Sequence, residues 1–302
     1  MPKSTSKSRG GKLTRTVAPF APLAVAMLLQ TSVIPGGSGP DENGTDAVVC
    51  GDDIEGFRGC HSDYPTGCTA AGRYDAFLNL FKNQLIPPSQ KPEKFYGKSD
   101  FADLNKNTPK ELTKGNHEVF KDDLGKLGEG HVFGVNGFLY YAQKGGTKES
   151  SNCQLGPDLD DIDFHIGIGF DSKLAAKVMK KPGAKSKLTD DDKSALNQTS
   201  IVIEMTPHYR AQFKPDWTLD LVKSVVGRQV RVIGQLMADN EHNNKGDNCS
   251  YPGANQDHCW RFSIWELHPV TQFEVCGSAD GTCEDDSADW VALEDFQAGG
   301  GK

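Results

Sequence analysis

The chain has 302 residues, eight cysteines and a net charge of −8. Residues 1–36 hold five basic side chains and no acidic one, so the remainder stands five lower, at −13. A body this acidic is a poor salt-driven, nonspecific binder of nucleic acid, which needs a basic footprint. Zinc knuckles are excluded too, because no C-x2-C pair is present.

At the N-terminus, Lys3, Lys7, Arg9, Lys12 and Arg15 precede an apolar stretch over 17–29, broken by Pro19 and Pro22. A Pro/Gly/Ser segment follows. This pattern predicts a signal peptide or an N-terminal anchor over 1–36, and hence a secreted or periplasmic protein. The apolar run is short for a membrane span, so any membrane contact would come only through an uncleaved N-terminus.

Residues 41–128 are expected to form a helical extension. Tyr74, Phe77, Leu78, Phe81 and Leu85 make one apolar helical stripe that Pro87-Pro88 ends. A loop over 89–116 and a short helix over 117–127, closed by Gly128, complete it. Cys50, Cys60, Cys68, Cys153, Cys249, Cys259, Cys276 and Cys283 are an even set, which in an exported chain predicts disulfides. Proximity suggests Cys249–Cys259 and Cys276–Cys283, with the other four tying the extension to the next region through Cys153.

From 129 to 276 the pattern turns to strands. Val132 to Gln143 reads as one long strand. In the next, Phe164, Ile166, Ile168 and Phe170 alternate with His165, Gly167 and Gly169. Further strands are expected over 200–206, 229–238 and 260–275, the last with an edge or bulge at Pro269. A helix over 217–226, stopped by Gly227, lies between the third and fourth. Three strands, a helix and two strands is the order of an OB-fold, a five-stranded Greek-key barrel. The expected class is therefore mainly β: an OB-fold-like barrel with a helical, disulfide-tied N-terminal extension. Residues 171–199 would be an exposed helical insertion with Thr189 capping its second half, and 277–302 a mobile acidic tail.

Four acid-and-histidine clusters lie on or beside these strands: Asp161-Ile-Asp163-Phe-His165, Glu204-Met-Thr-Pro-His208-Tyr-Arg210, Asp239-Asn-Glu241-His242 and Trp265-Glu266-Leu-His268-Pro269. Within and around them, Glu149-Ser-Ser-Asn-Cys153, Asp163-Phe-His165-Ile-Gly-Ile, Ile203-Glu204-Met-Thr-Pro207, Val232-Ile-Gly-Gln-Leu-Met-Ala-Asp239-Asn-Glu241-His242 and Trp265-Glu266-Leu-His268-Pro269-Val resemble a group of exported bacterial proteins. In that group an OB-like domain ends in a Trp-Glu-aliphatic-His-Pro strand. The resemblance covers about 130–276; it implies fold and export and carries no catalytic residue.

Three functional readings follow. In the first, the barrel face binds a small ligand, glycan or peptide, with Tyr140, Asp163, His165 and Tyr209 as contacts beside a shallow groove over Gly167 and Gly169. In the second, His165, His242, Glu266 and His268 bind a divalent metal such as zinc, whose bound water attacks an ester or phosphodiester. Glu204 and Arg210 would then be the catalytic pair. In the third, the extension covers the platform and the protein is an interaction module. The same histidines and acids could instead pin strand ends. Ligand binding is the leading expectation, with the metal-dependent hydrolase as its alternative.

Overall fold

The computed structural model describes Leu78 and residues 81–146, 149–152, 158, 162–179 and 188–296. The expected signal peptide, Tyr74 and Phe77 of the expected helical stripe, and Cys50, Cys60, Cys68 and Cys153 lie outside these residues. Among the described residues, no helix is long and apolar enough to cross a membrane.

The strands are β1 (Phe95–Tyr96), β2 (Val132–Lys144), β3 (Phe164–Gly169), β4 (Ile201–Met205), β5 (Gln229–Ala238), β6 (Trp265–Cys276) and β7 (Trp290–Ala292). β2 to β6 form a closed barrel in the order β2-β3-β4-β6-β5, returning to β2. β1 adds to β2 in parallel, and β7 pairs with β6. Closure depends on the length of β2, whose first half pairs with β5 from Val132↔Gln235 to Phe138↔Gln229. Its second half pairs with β3 from Phe138↔Gly169 to Lys144↔Phe164. At Gly137, beside the exchange of partners, a Cβ would stand 2.7 Å from the Gly169 carbonyl oxygen, which only glycine avoids. The seam between β4 and β6 is parallel and brief, with Ile203↔Leu267 as its one register pair.

Period-two alternation sends Phe164, Ile166, Ile203, Met205, Leu267 and Phe273 into one apolar core. Helices α1 (Lys98–Asn107), α2 (Lys121–Lys126), α3 (Ser172–Val178), α4 (Asp190–Gln198), α5 (Pro207–Phe213) and α6 (Leu219–Ser224) surround the barrel. Trp217, Leu219 and Val222 join the core from the approach to α6 and from α6 itself, beyond which Gly227 turns at φ 89°. Phe101 and Leu104 of α1 join from another side.

The mainly β, closed five-stranded barrel agrees with the sequence reading, and β5 has the expected bounds. Both expected local disulfides, Cys249–Cys259 and Cys276–Cys283, are present. They fit an oxidising compartment. Thr189 caps α4, accepting from Asp192 N while Asp192 accepts from Thr189 N.

Four expectations are corrected. Residues 89–116 are not all loop: they contain β1 and α1, which Asp100 starts by accepting from the Gly97 N–H at 2.8 Å. The insertion over 171–199 is not simply exposed, since Ala175 and Leu196 are buried against Tyr140. The segment after Cys276 returns as β7, with Trp290 buried beside the Cys276–Cys283 bridge. The last barrel strand begins at Trp265 rather than 260, and Pro269 lies at its bulge, where the register shifts opposite Gly234.

Candidate functional site

The side chains that alternate with the core residues build the site. On β4, Glu204 sits between core residues Ile203 and Met205; on β6, Glu266 and His268 flank Leu267; Asp163 and His165 flank Phe164. All five therefore lie on the outer face of β3, β4 and β6. That face is nevertheless dry: Asp163, Glu266 and His268 are each 0% exposed, and Glu204 is 3%.

Buried ions need partners. The His268 Nδ1 lies 3.0 Å from Glu204 and 3.2 Å from Glu266, while its Nε2 faces Asp163 Oδ2 at 3.5 Å. Arg261, fully buried, donates from Nη2 to Glu266 Oε2 at 2.5 Å. Lys82 donates to Asp239 Oδ2 at 3.0 Å. His165 contacts Glu149 at 3.1 Å and Glu204 at 3.5 Å.

The protonation states follow from these neighbours. Burial opposes a charge on His268, yet Glu204 and Asp163 overcome it and raise its pKa to about 9. His165, opposed likewise by burial, is raised to about 10 by Glu204 and Glu149. Burial, and then Glu204, push Asp163 up to about 6. Glu204 resists burial because His165, His268 and Lys82 surround it, and it falls well below the carboxylate range.

The residues expected to act together thus divide. Asp163, His165, Glu204, Glu266 and His268 converge. Ligand atoms of Asp163, Glu204 and His268 all lie within 4.8 Å of one another, as do those of Glu204, Asp239 and Glu266. His242 stays at the margin, with Nε2 3.9 Å from Asp239 Oδ2 and Nδ1 on Asp247.

Arg210 is buried against the first residue of β3. It stacks on Phe164 at 3.8 Å and donates to the carbonyls of Met205 and Ile162. The Tyr209 hydroxyl donates to the Ile86 carbonyl. Tyr140 donates to the Asp171 carbonyl and accepts from the Asp171 N–H. The groove expected over Gly167 and Gly169 is filled. A Cβ on Gly167 would meet the Tyr141 ring at 2.2 Å, and one on Gly169 the Tyr140 ring at 1.9 Å.

Sequence reading missed Lys82 and Arg261, the fixed cations of the cluster. It also missed a cleft of about 700 Å³ between α1 and the loop clipped by Cys249–Cys259. Its walls include Pro109, Tyr251, Pro252 and Phe262, and Lys106, Lys110 and Lys245 stand around it. The three lysines are exposed and engage in no ion pair among the described residues.

No protein family, curated protein or solved structure matches this chain.

Proposed function

We propose that the protein is an exported barrel of OB type that binds an acidic glycan in the cleft between α1 and the Cys249–Cys259 loop. The observation that carries this reading is three exposed lysines, without ion pairs among the described residues, around an aromatic and proline-lined cleft in a chain of net charge −8. Such a surface attracts anions locally although the whole molecule repels them. Tyr251 and Phe262 offer flat apolar area against which sugar rings can lie. The cleft amides are engaged: Asn105 donates to the Phe262 carbonyl and Asn243 to the Leu112 carbonyl, which fixes the walls before a ligand arrives. Support for the OB type comes from the β2-β3-β4-β6-β5 order, the parallel β4–β6 seam and the helical link between β4 and β5. Two disulfides support export.

The hydrolase alternative has the gathered ligand atoms in its favour. Against it stands the complete burial of Asp163, Glu266 and His268, which leaves a substrate no approach to them.

Titration calorimetry with uronic-acid oligosaccharides tests the glycan reading. Binding should weaken about tenfold or more in the Lys106→Ala/Lys110→Ala/Lys245→Ala variant, and weaken with added salt in the parent. Equal binding of neutral oligosaccharides, or tighter binding of acidic peptides, would reject it.

A further inference from the structure

We propose that Asp163, Glu204 and His268 hold one divalent transition-metal ion, with zinc as the best-suited probe, as a staple across the closing seam of the barrel. The first observation is a set of polar atoms without hydrogen bonds. Among the described residues, neither carboxylate oxygen of Asp163 has a hydrogen-bond partner, and neither has His268 Nε2, although both residues are 0% exposed. Buried polar atoms left this way call for an explanation.

Their geometry supplies one. Nε2 and Asp163 Oδ2 face each other at 3.5 Å. Two donors bound to one tetrahedral zinc, each at about 2.0–2.1 Å, stand roughly 3.3 Å apart. The other ring nitrogen, Nδ1, already hydrogen-bonds the Glu266 carboxylate at 3.2 Å. A carboxylate on the far nitrogen of a ligating histidine is the arrangement that orients the ring and raises its basicity. Glu204 supplies the third ligand atom within the same 4.8 Å group. His165, 3.5 Å from the Glu204 Oε1, steadies that carboxylate from the other side.

Charge points the same way. Asp163, Glu204, Asp239 and Glu266 are four buried carboxylates, set against the fixed cations Lys82 and Arg261. His165 has a partner of its own in Glu149. Once an ion displaces the His268 proton, two negative charges are left over, which one divalent ion neutralises while the neutral ring ligates. One imidazole with two carboxylates and no thiolate suits zinc and its first-row neighbours better than calcium, which takes six or more oxygens.

The location gives the ion its role. The β4–β6 seam has one register pair, Ile203↔Leu267, and Glu204 and His268 are the next residues along each strand. Asp163 brings in the start of β3. One ion would thus link three strands where the backbone ladder is thinnest.

The test uses the full chain recovered from an oxidising compartment, with elemental mass spectrometry first, then removal of metal by chelator and titration with zinc or cobalt(II). We expect close to one ion per chain. The melting midpoint should rise roughly 5–10 °C at a hundredfold excess of zinc over its Kd. Asp163→Asn, which keeps the shape and removes a charged ligand, should weaken zinc uptake at least tenfold. Should Asp163→Asn not fold, the cobalt(II) spectrum of the parent decides. A single nitrogen/oxygen-ligated site without a thiolate band upholds the site, and no site spectrum overturns it. A chelated parent that takes up no zinc, or a folded Asp163→Asn that binds zinc as tightly, overturns it as well.

Discussion

On β4, Ile203 points into the barrel and joins the apolar core, while Glu204, the next residue, points outward into a cluster of acids and cations. The same division runs along β6, with Leu267 inward and Glu266 and His268 outward. Both faces exclude water, at 0% exposure for Ile203 and 3% for Glu204. They achieve stability by different physics. The inner face gains from removing apolar area from water and loses gradually when atoms are removed. On the outer face, charges are taken out of water and repaid only while every partner is present, so it loses abruptly when one goes.

The sharpest way to break this contrast is Arg261→Ala. It strands Glu266 in a dry site, and urea unfolding should show a loss of about 3–5 kcal/mol. Trimming the inner face is gentler: Ile203→Val removes one methylene and should cost about 0.5–1.5 kcal/mol in the same assay. A result in the reverse order would mean that the outer cluster is hydrated and that the comparison fails.

A further effect is graded with pH. His165 and His268 are raised in the folded state to about 10 and about 9, above the unfolded value near 6.5. Their contribution is therefore fully present below pH 6.5 and is lost as pH rises through about 9–10. In chelator, the urea midpoint should fall across that window, and a flat profile would contradict the assigned protonation.

Much of the barrel was legible because period two is a local signal. Phe164, Ile166 and Ile168 alternate with small or polar residues, and the β5 boundaries fall at Gln229 and Ala238. Helix α1 was not legible: among Lys98, Asp100, Asp103, Asn105 and Lys106, only Phe101 and Leu104 are buried apolar residues. Helix α5 did carry a signal, since Pro207 at its first turn is a recognised start. The site was half legible. Period two places Asp163 beside His165 and Glu266 beside His268 on one strand face. No local pattern says that such a face will be covered, or that Lys82 will meet Asp239 across 157 positions. The cleft escaped for the same reason, since its walls come from residues 102–110 and 243–262.

The Cys249–Cys259 bridge spans ten positions and holds Tyr251 and Pro252, part of one cleft wall. The conformational entropy of that wall is surrendered when the thiols oxidise, during folding, rather than at each encounter with a ligand. Pre-organisation of this kind makes affinity a property of the redox compartment. The oxidised chain meets its ligand with a rigid wall, and the reduced chain must order the same wall at the moment of binding.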